Sequence, residues 1–466
     1  MEKGLEKKYG LVTAICLVVG IVIGSGVFFK AEKILTATGG NLPIAILAWI
    51  IGGLIMIICA YTFSVMAAKY EKVNGIVDYA EVTVGKNYAY FIGWFMSVIY
   101  YPTLTSVLAW VCARYSCVLV GISDITGGTC MTIACFYLCT SYAINALSPR
   151  LAGKFQVATT LIKLIPLLLM AIIGTIVGIK SGTLSANFTT IPTMSEIIAV
   201  KPDYTPVPNA LFTAIVAAAF AYEGWIIATS INSELKNGKK NLPIALVGGT
   251  FLIAVIYILY YIGLAGAADN ITMIASGETG AKIAFTNILG SYGAVILMVF
   301  IVISCLGTLN GLMLACVRGI YSLAARNEGP NPKMFSSIDS NTNMPTNSGI
   351  IGLLLCGFWF IYFYGSSLTA SWFGPLTFDQ SELPIITIYA MYIPIFIMIM
   401  KKEKNFKMFS RFIAPFLSIC GSAFMVYAAY IAHGAKAVTG YLIIFAVIMF
   451  IGALFKKSKV VNHIKQ

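Results

Sequence analysis

Two short stretches hold the residues best suited to binding a small charged molecule. Gly20–Phe29, GIVIGSGVFF, puts Gly24, Ser25 and Gly26 inside a run that otherwise reads as a membrane-crossing helix. Phe220–Trp225, FAYEGW, puts Glu223 and Gly224 between two apolar halves of another such run. Glycine costs a helix interior roughly 1 kcal/mol against alanine, and a carboxylate at mid-membrane costs roughly 2.5–3.5 kcal/mol on insertion scales. Broken backbone at membrane depth persists only where protein or a water-filled cavity satisfies it. The N–H groups freed at the start of a half-helix, aided by the positive end of its dipole, hold a carboxylate. The carbonyls freed at the end of the other half hold an ammonium, so a zwitterionic amino acid suits both. The plainer reading is that Gly20, Gly24 and Gly26 are helix-packing notches. A matching break in a second run argues against notches alone.

Composition sets the elements that must position these residues. The 466-residue chain is 59% hydrophobic and 11% charged, which excludes a soluble domain and points to a polytopic helical membrane protein. Apolar runs of spanning length fall at roughly 11–34, 42–68, 89–120, 129–147, 154–179, 209–233, 242–267, 286–320, 349–364, 382–400, 412–432 and 438–455, which predicts twelve spans. A net charge of +13 would by itself suggest a nucleic-acid partner, but its distribution does not. With the N-terminus cytoplasmic, 23 of the 31 Lys and Arg residues fall on the cytoplasmic side and six, Lys30, Lys33, Lys180, Lys201, Lys282 and Lys436, on the other. That asymmetry is the positive-inside pattern, and it puts both termini in the cytoplasm.

The first run is longer than a signal-peptide core and lacks an evident cleavage site, so it reads as retained. The eleven cysteines lie within or at the ends of spans and form no CxxC pair, so neither a disulfide framework nor a metal site is expected, and no cofactor. His433 and His463 read as lone, solvated loop residues. No metal cluster or nucleophile–base constellation falls at depth, which argues against an enzyme. A channel would call for a ring of filter groups supplied by several subunits.

The pentapeptide NLPIA occurs at Asn41–Ala45, after the first run, and again at Asn241–Ala245, after the sixth. Spans two and seven enter from opposite faces, as a five-plus-five inverted repeat requires, and matched breaks in such repeats point to a transporter's binding site. The chain then divides into a first repeat over 1–180, an external loop over 181–207, a second repeat over 208–400, and peripheral spans with a cytoplasmic tail over 401–466. EKVNGIVDYAEVTVGK, between spans two and three, is mildly amphipathic and is expected to lie along the membrane surface. Asn270–Phe285 is expected to contain a short external helix.

GIVIGSGVFF, FAYEGW…NSELKNGKKNLPIAL and GTLNGLMLACVRGIYSLAARNEGP followed by NMPTNS together resemble the L-type amino-acid transporters of the amino acid–polyamine–organocation superfamily. The likeness runs in order along nearly the whole chain. It implies an all-α, twelve-helix fold of the leucine-transporter type, a ten-helix inverted-repeat core with two peripheral helices. It also implies sodium-independent amino-acid transport, often by exchange. Carried over by position, the substrate carboxylate meets Ser25 and the N–H groups around Gly24 and Gly26. The ammonium meets carbonyls at Val22, Phe220 and Glu223, with Tyr222 and Gly224 in the same site and Phe220 as an aromatic gate. The family usually has Gly or Asp where this chain has Glu223, which leaves the charge of the preferred substrate open. The family's animal members join a glycoprotein subunit through an external cysteine that GISDITGG lacks. No such partner is expected, and a bacterial inner membrane is.

Lys163 lies nine residues past Lys154, roughly 13 Å along a helix, and so deep an ammonium needs an internal partner. It matches the family's fifth-span lysine, implied to stand where sodium sits in sodium-coupled relatives, with Thr308 and Asn310 as neighbours; helix glue is the plainer role. In span three Pro102 is expected to kink the helix and turn Tyr100, Tyr101 and Thr105 to the cavity. Arg114 and Asp124 are expected at the outer rim, and Glu234 is expected to pair with Lys240. Trp225 reads equally as core. The reading is an amino-acid permease or exchanger working by alternating access. The alternatives are proton-coupled transport of amino acids, transport of amines or polyamines with Glu223 as the handle, or a transporter-like nutrient receptor.

Overall fold

In the computed structural model the described backbone covers residues 10–24, 26–70, 75–369 and 371–456, with the side chains of all but 230–234 and 278. Asn41 shows how a span begins: its side chain accepts from the Ile44 N–H at 3.2 Å, and Pro43 occupies the first turn, where its missing N–H costs nothing. The repeated copy behaves differently. Asn241 lies inside a helix that starts at Gly238, and its amide reaches back to the Lys236 carbonyl at 2.6 Å.

The helices are α1 (Leu11–Val22), α2 (Gly26–Ala37), α3 (Leu42–Lys69), α4 (Ile76–Thr83), α5 (Lys86–Val120), α6 (Gly128–Leu147), α7 (Pro149–Ser181), α8 (Ala210–Ala221), α9 (Gly238–Ala267), α10 (Gly280–Ala324), α11 (Thr346–Leu368), α12 (Leu383–Lys402) and α13 (Phe409–Phe455). Short helices lie in the loops, among them Met194–Val200 and Asn270–Ser276. Among the described residues ten helices are long and apolar enough to cross a membrane, or eleven with the bent pair α1/α2 taken as one span. The expected last two spans lie within α13 as two helices, separated by a kink at Gly434, whose φ of 73° and ψ of 163° are not helical. Leu442, Val447, Phe450 and Leu454 face outward from α13, as a bilayer-facing helix requires.

The broken spans are interlocked. α1 packs on α9, the helix that follows the second break, and α8 packs on α2 and on α3, the helix that follows the first. α10 runs beside α5, α6, α7 and α11 and closes the other flank.

The segment after α3 does not lie on the membrane surface as expected. Residues 71–74 are outside the described residues, but α4 itself is buried at Ile76, Val77, Asp78, Tyr79, Ala80 and Thr83 and packs on α5 and α12. Its polar side chains read as a water-facing stripe because their partners are distant in sequence. Arg326 pairs with Asp78, and with Glu81 at 2.9 Å.

Candidate functional site

At the first break α1 ends at Val22, α2 begins at Gly26, and the two halves meet at 43°. The last carbonyls of a helix have no partner within it, and here three other helices supply donors. The buried Lys163 ammonium of α7 donates to the Gly20 carbonyl at 2.6 Å and to Thr308 Oγ1 at 3.2 Å. Tyr257 of α9 donates its hydroxyl to the Val22 carbonyl at 3.1 Å. Thr308 of α10 donates to the Ile23 carbonyl at 3.4 Å. The glycines are also packing notches: a Cβ on Gly24 would overlap the Thr308 side chain, and one on Gly26 would sit 2.5 Å from Ala221 Cα. The break and the notch are one device. Ser25 lies outside the described residues.

At the second break α8 stops at Ala221, and Gly224 takes φ 105°, a value L side chains rarely adopt. A 3-10 run, Trp225–Glu234, follows. The Glu223 side chain is buried; Oε1 accepts from the Tyr100 hydroxyl, and Oε2 has no hydrogen-bond partner among the described residues. Tyr222 turns away, donating its hydroxyl to the Trp49 carbonyl at 2.9 Å. Trp225 is core, beside Phe63 and Tyr392. The expected pairing of Glu234 lies outside the described side chains.

Both breaks border a cavity of about 40 Å³, lined by Ile21, Val22, Gly24, Gly26, Leu104, Leu108, Phe220, Glu223, Gly224, Thr308 and Leu312. It has room for a few waters, so a bound amino acid requires the walls to part. Ile21, Leu104, Leu108 and Leu312 are absent from the sequence reading. Span three carries a π-helical turn at Met96–Tyr100, and beyond it Leu104 and Leu108, one turn apart, line the cavity, while Tyr100 reaches it only through its bond to Glu223. Thr105 instead donates to the Tyr101 carbonyl at 2.7 Å and lies 3.2 Å from Cys316 Sγ, and Tyr101 packs on Tyr100. Neither lines the cavity. Nor does Asn310, which ties α10 to α6 and α7 through Asn145 at 2.9 Å and the Ala152 carbonyl at 3.2 Å rather than meeting Lys163.

One side of the cavity is covered by rings and ions. Phe220 meets Phe29 edge-to-face at 5.7 Å, and the fully buried Lys30 ammonium lies 4.9 Å from the Phe220 ring centre and 5.0 Å from that of Phe29. Lys30 donates to Glu382 at 2.6 Å and Ser381 at 3.1 Å, while Lys33 reaches Glu382 at 2.6 Å and Asp379 at 3.2 Å. His433 is not a solvated loop residue: it is 13% exposed, with Nε2 3.1 Å from Glu382 Oε2. Arg114 is buried over Phe29 rather than standing at the rim, and Asp124 is exposed, accepting from the Thr126 N–H at 3.1 Å. At the other end of the bundle Glu403 binds Lys69, and the Tyr70 hydroxyl at 2.8 Å. All eleven cysteines are free thiols, and no group of three or more His, Cys, Asp or Glu among the described residues is arranged to hold a metal.

Comparison with known proteins places this geometry in a family. The serine/threonine exchanger SteT of Bacillus subtilis (strain 168) is 27% identical over 433 residues, 91% of this chain and 91% of its own. The Asc-type amino acid transporter 1 of Mus musculus is 27% identical over 362 residues, 76% of this chain and 63% of its own. The b(0,+)-type amino acid transporter 1 of Oryctolagus cuniculus is 26% identical over 341 residues, 72% of this chain and 66% of its own. The family model for amino acid permeases matches residues 9–454, and the chain belongs to that family, multi-pass membrane transporters of the amino acid–polyamine–organocation superfamily rather than enzymes.

Proposed function

We propose that the chain is a sodium-independent amino-acid exchanger or permease that works by alternating access, with substrate held between the two helix breaks. The observation that carries this reading is that both breaks border one cavity, the α2 N-terminus at one and turned-out backbone at the other. The carboxylate sits on the N–H groups around Ser25 and Gly26, where the dipole favours negative charge. The ammonium sits on carbonyls of Val22, Phe220 and Glu223, and Phe220 closes above it. Lys163 does a sodium ion's work: its ammonium takes the Gly20 carbonyl and the Thr308 hydroxyl as oxygen partners. Repeats 1–180 and 208–400 move against each other, with both termini cytoplasmic in a bacterial plasma membrane and no disulfide-linked subunit. The Bacillus relative is by name a serine/threonine exchanger, so small neutral amino acids are the first class to test. In proteoliposomes, labelled L-serine uptake should be unchanged when sodium is replaced by choline and should rise severalfold with internal amino acid under exchange. A sodium requirement sinks the role given to Lys163, and absence of any amino-acid flux sinks the transporter reading in favour of a receptor.

A second reading follows from Glu223. A buried carboxylate oxygen without a partner beside the cavity suits a second ammonium or a proton. Amine transport or proton coupling would then use this side chain as its handle.

A further inference from the structure

We propose that the turn joining α12 to α13 is a binding surface for anionic phospholipid. Between Lys401 and Ile413 the chain carries five cations, Lys401, Lys402, Lys404, Lys407 and Arg411, and one carboxylate, Glu403. Glu403 does not balance them, because it is buried and already bound to Lys69 and Tyr70 at the end of α3. The four lysines are exposed, and none of them makes an ion pair among the described residues. Lys401 and Lys402 close α12, where the helix dipole favours cations. That use does not extend to Lys404, Lys407 or Arg411. Arg411 is posed: its Nε donates to the Met400 carbonyl at 3.1 Å, and its guanidinium lies 4.6 Å from the Phe412 ring centre. Its terminal amino groups are left for an outside acceptor such as a phosphate.

The apolar residues of the same turn give the depth. Met408, Phe409, Phe412 and Ile413 are exposed, and the outward face continues along α13 through Phe416 and Leu417. A surface with apolar side chains next to a cluster of cations fits the level where acyl chains meet headgroups. Cations immediately beyond a span attract anionic lipid, each strengthening binding about fivefold near the surface. A soluble anion would use the cations and leave the aromatics in water. A lipid has both parts, so it alone matches the whole patch. The start of α9 is an internal control: Lys236, Lys239 and Lys240 are exposed there too, but residues 235–247 include no aromatic side chain.

Lipid would seat outside the cavity between the helix breaks, so the test reads stability rather than flux. The unfolding temperature of the purified full chain is measured in neutral-detergent micelles with phosphatidylglycerol, phosphatidylcholine or glycerol phosphate added. Phosphatidylglycerol should raise it by several degrees, because a ligand of the folded state stabilises that state. Phosphatidylcholine and glycerol phosphate should not. In Lys404→Gln/Lys407→Gln/Arg411→Gln, about a hundredfold more phosphatidylglycerol should be needed for the same rise, whereas Lys236→Gln/Lys239→Gln/Lys240→Gln should respond as wild type. Should loss of Arg411 weaken the fold, Lys404→Gln/Lys407→Gln changes exposed side chains only and should still need about thirtyfold more. A wild-type response in these α12–α13 variants overturns the proposal, as does an equal loss in the α9 variant, which marks a general charge effect. An equal rise with glycerol phosphate, which marks a free-anion site, or with phosphatidylcholine, which needs no anion, overturns it too.

Discussion

The two helix breaks border one cavity but are held open by different means. The break between α1 and α2 has no charged side chain of its own. Its carbonyls at Gly20, Val22 and Ile23 receive donors from Lys163, Tyr257 and Thr308, each on a different helix. Its glycines sit against Thr308 and Ala221 with no room for a methyl group. The break after α8 carries its own carboxylate, Glu223, of which one oxygen is bonded to Tyr100 and the other has no partner among the described residues. The first break is thus fixed by its surroundings, and the second keeps polar capacity to spare. A site built this way separates two tasks. On the proposed reading the backbone of both breaks serves the groups common to all amino acids, and the spare Glu223 oxygen suits discrimination among them.

Substitutions at the two breaks sharpen that contrast. The largest effect is expected at Gly26. A methyl there meets the Ala221 backbone at 2.5 Å, which cannot yield without moving α8 against α2. Gly26→Ala should lower L-serine uptake by at least a hundredfold in proteoliposomes, and near-normal uptake would show that the breaks part more freely than their packing implies. Next is Lys163→Ala, which strips the donor from the Gly20 carbonyl and leaves a cavity at the α1/α7/α10 junction. Flux should fall at least thirtyfold with folded protein still recoverable; a severalfold loss or less would reduce Lys163 to helix glue. The smallest effect belongs to the second break. Glu223→Gln keeps the shape and the bond with Tyr100 but cannot titrate, so uptake of L-serine should persist within about threefold while its pH dependence between about pH 5 and 8 flattens. An unchanged pH profile would return Glu223 to a structural role.

Both breaks were legible in the chain because Gly-Ser-Gly and Glu-Gly are conspicuous in apolar runs. Lys163 was legible from its depth, and Thr308 from the resemblance. What escaped the sequence depends on contacts between distant residues. Tyr257, one of 25 tyrosines, gains meaning only when α9 lies beside α1. Leu104 and Leu108 line the cavity where Tyr101 and Thr105 were expected, because Thr105 spends its hydroxyl on the Tyr101 carbonyl and Tyr101 packs on Tyr100. Lys30, counted as an external loop charge, is buried because Glu382 and Ser381 reach it across some 350 residues. His433 joins the same cluster for the same reason. The two final apolar runs are the two helices of α13, and the kink at Gly434 that separates them needs only one non-helical residue.

The most direct test of the central claim, that one break takes the carboxylate and the carbonyls take the ammonium, is competition by a ligand altered at a single charge. Uptake of labelled L-serine into proteoliposomes is measured against unlabelled L-serine and against L-serine methyl ester, which keeps the ammonium and removes the carboxylate charge. The free acid should compete fully, and the ester should fail to compete at a hundredfold higher concentration. Equal competition by ester and free acid would contradict the account, because the α2 N-terminus would then have no anion to hold.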